Sequence, residues 1–286
     1  MTAAAVPPIV TGVDGSVESL DAVRWAARAA RLRGAPLEIV HALDFPALLA
    51  GGVVPPPEEM KDVLRARGRR YLRAAAELAA AQGVPDAATR LDPDRAAQAL
   101  IEASRTAALL VVGSSGHGKL TGLLAGSVAS ALAGHASSDT VVVRGDTWDE
   151  PGGADRPVVA GIDGGEASER ILTTALAEAR ARKAPLAVVH AADETEHSRA
   201  GHEARTDAGH RLLTDRLHAH DTEGVTVDEV VVAAHPRRAL IERSAAAQLV
   251  VLGNRGRGGF PGLLLGSTGQ ALLHNAACPV YLVRVG

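Results

Sequence analysis

GSSGHGKLTGLLAGS, residues 113–127, and GNRGRGGFPGLLLGS, residues 253–267, carry one glycine spacing twice: two residues separate the first pair of glycines and nine precede the closing Gly-Ser. Each copy follows a short run of branched apolar residues (109–112 and 249–252) and leads into an Ala/Leu-rich stretch with helical spacing. Each therefore reads as strand, glycine loop, helix. Such a unit suits an anion. Phosphate needs several donors converging on one point, and main-chain N–H groups supply them only where no side chain intervenes. Gly126-Ser127 and Gly266-Ser267 are expected at the first turn of the next helix, where unpaired N–H groups and the positive end of the dipole favour negative charge. The serine hydroxyl adds a donor, or caps the helix when no ligand is there. Hydrogen bonds to a charged group contribute roughly 1.5–3 kcal/mol each, so four or five donors support a micromolar site after ordering costs. The alternative is a pair of glycine turns that merely join strand to helix.

Working outward, PIVTGVD (8–14) reads as a strand ending at Asp14-Gly15-Ser16, followed by a helix marked by Leu20, Val23, Trp25, Ala27 and Ala30. Gly34-Ala35-Pro36 stops it, and 37–41 gives a second strand. The stretch 44–57, DFPALLAGGVVPPP, ends in prolines that no helix interior tolerates. A helix is expected over 58–82, a weak strand over 87–91, a helix over 94–106, the strand 109–112, a helix over 127–135 and a last strand over 140–144. GDTWDEPGGADR (145–156) is polar and rich in Gly and Asp, as linkers are. Domains 1–146 and 157–286, joined by 147–156, follow.

The order then starts again. Pro157 to Asp163 repeats the opening strand, VVHA (188–191) repeats IVHA (39–42), LIE (240–242) repeats LIE (100–102), and VYLVR (280–284) repeats TVVVR (140–144). The second copy is shorter after its second strand, where DETEHSRAGHEARTDAGH (193–210) replaces the proline stretch, a change expected in a surface loop. Alternating strands and helices imply an α/β chain with a doubly wound parallel sheet in each half. Ligands of such sheets bind at the carboxyl ends of strands, where the strand order reverses. Asp14 and the Gly113 loop both lie at such ends, so one ligand touches both if strands one and four are neighbours.

Composition bounds the function. The 286 residues allow two domains; 47% are apolar but only 2% aromatic, so the cores must be built from Ala, Val and Leu. A net charge of -3 with both signs interspersed offers no basic face for nucleic acid. No apolar run approaches a membrane span of about 20 residues, and MTAAAVPPIV lacks the features of a secretory signal, which leads to the expectation of a soluble, cytoplasmic protein. The single Cys278 excludes an internal disulfide and a cysteine-cluster metal site, and is expected in the core.

Together VTGVDGS, VHA, the complete Gly-x2-Gly-x9-Gly-Ser pattern and the closing VVVR and YLVR resemble the universal stress protein family in its tandem two-domain, ATP-binding form. The resemblance covers nearly the whole chain. It implies a five-stranded parallel sheet of order 3-2-1-4-5 in each half, helices on both faces, and ATP over the ends of strands one and four. Carried over by position, Gly113, Gly116, Gly126, Ser127 and Val128 line phosphates and ribose in the first half, and Gly253, Gly256, Gly266, Ser267 and Thr268 in the second. Asp14 and Asp163, after Gly12 and Gly161, match the aspartate near the nucleoside; Ala42 and Ala191 fall where main chain meets the adenine edge. The family's last strands pair, which implies an internal pseudo-dimer of the halves; a homodimer of whole chains is a further assembly. The resemblance also implies a role in stress or dormancy. Gly165 stands where the first half has the capping Ser16, and Ala108 and Gln248 replace an aspartate usual before the fourth strand.

Taken singly, Asp14 and Asp163 are also turn formers or caps; opposite a phosphate loop, each becomes an acceptor for ribose hydroxyls. His41 and His190 recur at strand ends, where a structural role is expected. His117 and Arg257 occupy one place after the second glycine, within reach of a terminal phosphate; Arg257 and Arg255 suit this best because guanidinium is always charged. No nucleophile, base and orienting group stand at a recognisable spacing, and no GxxxxGK[ST] motif occurs. The expected function is a non-catalytic, nucleotide-responsive regulator with one ATP site per half, Mg²⁺ arriving with the nucleotide. The rivals are a slow ATPase or transferase using the same pockets, and a structural module with empty loops.

Overall fold

A computed structural model describes residues 6–43, 57–116, 126–145, 148, 153–192, 199–256 and 265–285. The chain divides into two compact units, Met1–Val143 and Arg144–Gly286. In the first, β1 (Ile9–Gly12), α1 (Val17–Arg33), β2 (Leu37–Ala42), α2 (Glu58–Ala81), β3 (Ala88–Asp92), α3 (Ala96–Ala103), β4 (Leu109–Gly113), α4 (Ser127–His135) and β5 (Asp139–Val143) follow one another. Every strand pair is parallel, in the order β3-β2-β1-β4-β5. α1 packs against α2 and α3 against α4. The centre of the sheet is buried on both sides, which is why β1 and β4 read as unbroken apolar runs: Ile9, Leu109, Leu110 and Val111 have no exposed surface. Ala22, Ala26, Ala29 and Ala30 line the buried face of α1 around Trp25. Small residues let the helix lie close to the sheet, and one indole fills the remaining gap.

The second unit repeats the plan with β6 (Val158–Gly161), α5 (Ala167–Arg182), β7 (Leu186–Ala191), α6 (Arg199–Leu217), β8 (Val227–Val232), α7 (Pro236–Ser244), β9 (Leu249–Gly253), α8 (Ser267–Asn275) and β10 (Val280–Val283). Its strand order, β8-β7-β6-β9-β10, is again 3-2-1-4-5 within the unit. The expected fold class is the observed one.

Three local expectations change. The helix expected over 94–106 is confined to Ala96–Ala103: the Asp94 N–H bonds to Asp92 Oδ1 (3.0 Å) before the helix begins, and Arg105 N turns back to Glu102 O (3.1 Å) after it ends. Much of 193–210, expected as loop, belongs to α6. That helix is so polar that its periodicity is invisible; what seats it is Leu213, fully buried, and Gly209, where a Cβ would stand 2.7 Å from Val231 Cγ1. Within the polar stretch between the repeats, Trp148 is 3% exposed and its Nε1 donates to Gly145 O (3.1 Å).

At the amino ends of the second sheet lies a buried ionic group. Arg182 Nε donates to Glu178 Oε2 (2.9 Å), with side chains 1% and 5% exposed, and Arg182 Nη1 reaches Gln248 Oε1 (3.4 Å). Gln248 Nε2 in turn donates to Arg156 O (2.7 Å). The repeat places Ala29, which is buried, and Ala108, which is exposed, where Glu178 and Gln248 stand.

Cys278 is fully buried, and burial pushes its thiol up to about 12. Only a thiolate is nucleophilic, so the folded protein is expected to resist alkylation by iodoacetamide at pH 8 and the denatured protein to be labelled at once. Mass spectrometry of both reactions checks this. The raised value also means that the stability this thiol lends is complete below about pH 9, the ordinary thiol value, and is lost as pH climbs toward about 12.

Candidate functional site

β1 lies at the middle of its sheet, with Ile9 opposite Leu37 of β2 and Leu109 of β4. The strand order reverses between β1 and β4, so the loops leaving these two parallel strands flank the switch-point crevice. After β1, Gly15 turns the chain at φ +88, and the ring of Tyr71 from α2 occupies the space a Cβ would need. Asp14 Oδ1 accepts from Ser16 N (2.9 Å) and Ser16 Oγ (2.6 Å), while the Asp14 N–H donates to Ser19 Oγ (3.3 Å). Ser16 Oγ also accepts from Ser19 N (3.2 Å), capping α1. The turn-forming role weighed for Asp14 is thus real for one carboxylate oxygen. The other, Oδ2, faces Gly116 so closely that a Cβ there would overlap it.

The three glycines of the loop do different work. Gly113 lets α1 approach β4: a Cβ would stand 2.6 Å from Glu18 O, main chain that cannot step aside. Gly116 leaves the space beside Asp14. Gly126 closes the loop, its N–H donating to Ser114 O (2.7 Å), and serves as the N-cap of α4 without any side-chain bond. Ser127 is therefore the exposed first residue of the helix and not its cap, which corrects one sequence expectation, and Gly126 N is already engaged. The first-turn N–H groups from Ser127 and Val128 onward are the donors an anion would meet.

The second half repeats this arrangement with altered parts. Gly164 turns at φ +76 under Leu212, and Asp163 Oδ1 accepts from Gly165 N (2.9 Å). A Cβ on Gly256 would stand 3.0 Å from Asp163 Oδ2. Gly266 N donates to Asn254 O (2.8 Å), and α8 starts at Ser267 and Thr268 with no side-chain cap. The missing hydroxyl at Gly165 has the expected consequence: Glu166 precedes α5 with no capping bond. The turn is instead tied to α6. Arg216 donates to Gly164 O and to Glu169 Oε1 (2.9 Å each), and Glu169 Oε2 lies 3.0 Å from His220 Nε2.

Ala42 and Ala191 stand at the strand ends beside these turns. Val13 N donates to Val40 O (2.9 Å) and Ile162 N to Val189 O (3.0 Å), so Val40 and Val189 turn their main-chain groups toward the central strand. Alternation turns the groups of Ala42 and Ala191 the same way, beyond the point where that strand ends. Gly12 and Gly161 answer to packing: a Cβ would stand 2.8 Å from Leu100 Cδ1 and 2.7 Å from Leu240 Cδ1. His117 and Arg257 lie outside the described residues.

His41 and His190 carry hydrogen bonds that hold the fold. Nδ1 of each donates to the carbonyl just past the central strand, Val13 O at 2.7 Å and Ile162 O at 3.1 Å; a carbonyl only accepts, so Nδ1 bears the proton. The His41 ring also meets Tyr71 edge-on at 5.4 Å. Sequence reasoning missed Tyr71 and Asn254. Asn254, 2% exposed, bonds through its main-chain N to Val283 O and through Oδ1 to Val285 N, both 2.9 Å, pinning the second loop to β10. Neither stands in a recognisable motif; only the tertiary neighbours give them their roles.

Among the described residues no group of three or more His, Cys, Asp or Glu side chains could hold a metal ion, and no helix is long and apolar enough to cross a membrane. The site in each half is main chain, one carboxylate and a helix beginning. The first-turn N–H groups of α4 and α8 have no intrahelical partner and suit an anion.

Residues 6–144 and 156–284 each match the model of the Universal stress protein family. A universal stress protein of Mycobacterium tuberculosis is 35% identical over 285 residues, covering 96% of both chains. The crystal structure of a universal stress protein from Archaeoglobus fulgidus aligns with 98% of each chain at a TM-score of 0.70 and 18% identity, a likeness of fold. A solved universal stress protein in complex with cAMP, 32% identical, covers 49% of this chain and 99% of its own at a TM-score of 0.39.

Proposed function

The chain belongs to the universal stress protein family, and on that premise we propose that each half binds one ATP and that the protein acts as a nucleotide-responsive regulator in stress or dormancy. The observation that carries the reading is the juxtaposition, in both halves, of the aspartate after the central strand with the second glycine of the loop after the fourth: Oδ2 of Asp14 against Gly116, and Oδ2 of Asp163 against Gly256. A ligand in that crevice meets a carboxylate suited to ribose hydroxyls on one side and first-turn N–H groups suited to phosphate on the other. In the first half the phosphates lie over Ser127 and Val128 and the adenine edge meets the main chain of Ala42; in the second, Ser267, Thr268 and Ala191 take these places. Mg²⁺ comes with the nucleotide, held by its phosphates. A regulator of this kind transmits the stabilisation that ligand gives to its folded state, and needs no turnover.

Saturating ATP, at about 100 times its dissociation constant, is expected to stabilise each half by about 2.7 kcal/mol. Differential scanning calorimetry with and without ATP measures this, and native mass spectrometry of the purified protein reports nucleotide carried from the cell. An unchanged transition together with a bare protein mass rejects the reading.

A further inference from the structure

We propose that Arg255 makes the second half selective for nucleoside di- and triphosphates over monophosphates, and that the first half, with Ser115 in the same place, lacks this selectivity. The inference rests on the nucleotide-binding reading of both halves and adds to it which half discriminates and through which residue.

Arg255 follows Asn254, which is locked to β10, and precedes Gly256, which faces Asp163. Its Cα would lie 3.6 Å from a Cβ on Gly266, the residue that opens α8. The residue is thus built into the wall between the glycine loop and the helix beginning. Four other guanidiniums of this unit are ion-paired: Arg182 with Glu178, Arg216 with Glu169, Arg238 with Glu242 and Arg180 with Asp221. Arg255 has no carboxylate partner among the described residues, and its Nε is shielded from solvent without a hydrogen bond. A guanidinium does not lose its proton, so a partly dehydrated positive charge stands permanently on the loop. Attraction to such a charge grows with the charge of the ligand, and ATP and AMP differ in just that respect. The aspartate common to both halves repels the ligand in each and cancels in the comparison.

Isothermal titration of the full chain with ATP and with AMP tests this, using Gly116→Asp to confine binding to the second half and Gly256→Asp to confine it to the first. The ATP/AMP affinity ratio is expected to be about tenfold larger in the second half, to fall to the first-half value in Arg255→Ser and to persist in Arg255→Lys. Arg255→Ser installs the residue native to the first half; should it fail to fold, Ser115→Arg decides, by raising the first-half ratio. Equal ratios in the two halves, or a ratio unmoved by Arg255→Ser while ATP still binds, overturn the proposal alone. A wild-type protein that binds neither nucleotide overturns the proposal and the reading beneath it together.

Discussion

Gly116→Asp is expected to abolish nucleotide binding in the first half and leave the second intact, so that titration with ATP changes from two sites per chain to one. The new Cβ would overlap Asp14 Oδ2, and its carboxylate would set a second negative charge beside the first, in the crevice proposed for the nucleotide. Losing two charge-assisted hydrogen bonds at roughly 1.5–3 kcal/mol each weakens a site by about 100-fold or more. Gly256→Asp is the mirror experiment: a Cβ there stands 3.0 Å from Asp163 Oδ2, and binding should be lost from the second half alone. Both glycines lie in loops outside the helices and strands, so the circular dichroism spectrum should not change. Two full-strength sites in either variant would remove the crevice between the aspartate and the glycine loop as the place of binding.

Arg182→Ala carries the largest expected loss of stability. It removes the guanidinium that Glu178, whose side chain is 5% exposed, accepts from, and breaks the link to Gln248. Removing one partner of a buried ion pair typically costs about 3–5 kcal/mol, whereas replacing both with apolar groups of similar volume is often neutral or better. Glu178→Leu combined with Arg182→Met is therefore expected to recover most of the loss, as the alanine found at the Glu178 position in the first unit suggests. Hydrogen exchange resolves the two units where a single melting curve does not: protection should fall in β9 and stay constant in β4. A single variant as stable as wild type would mean that Glu178 finds another partner.

Fold and site were legible to different degrees. Apolar runs at 109–112 and 249–252, glycine after each, and a chain order that starts twice led directly to two parallel sheets, because strands and helices differ in period and parallel strands need helical crossovers. α6 escaped because most of its residues are polar and, among the described residues, it buries only a narrow stripe, Gly209, Leu213 and Leu217. Within the loops, the spacing identified all three glycines without telling them apart. Gly113 makes room for α1 and Gly126 closes the loop; only Gly116 opens onto the aspartate. Likewise Ser127 carries the look of a cap, yet the capping place belongs to Gly126.

By itself, then, the order of residues determined the parallel α/β architecture, its duplication and the two strand ends at which a ligand would be met, since those follow from local period, turn chemistry and the covalent reach of each crossover. Tertiary structure alone decided that Asp14 meets Gly116 and Asp163 meets Gly256, that the histidines serve the fold, and that Arg255 has no carboxylate partner among the described residues while Arg182 is buried with one. These are contacts between residues far apart in the chain, and they exist only once packing has brought separate strands side by side.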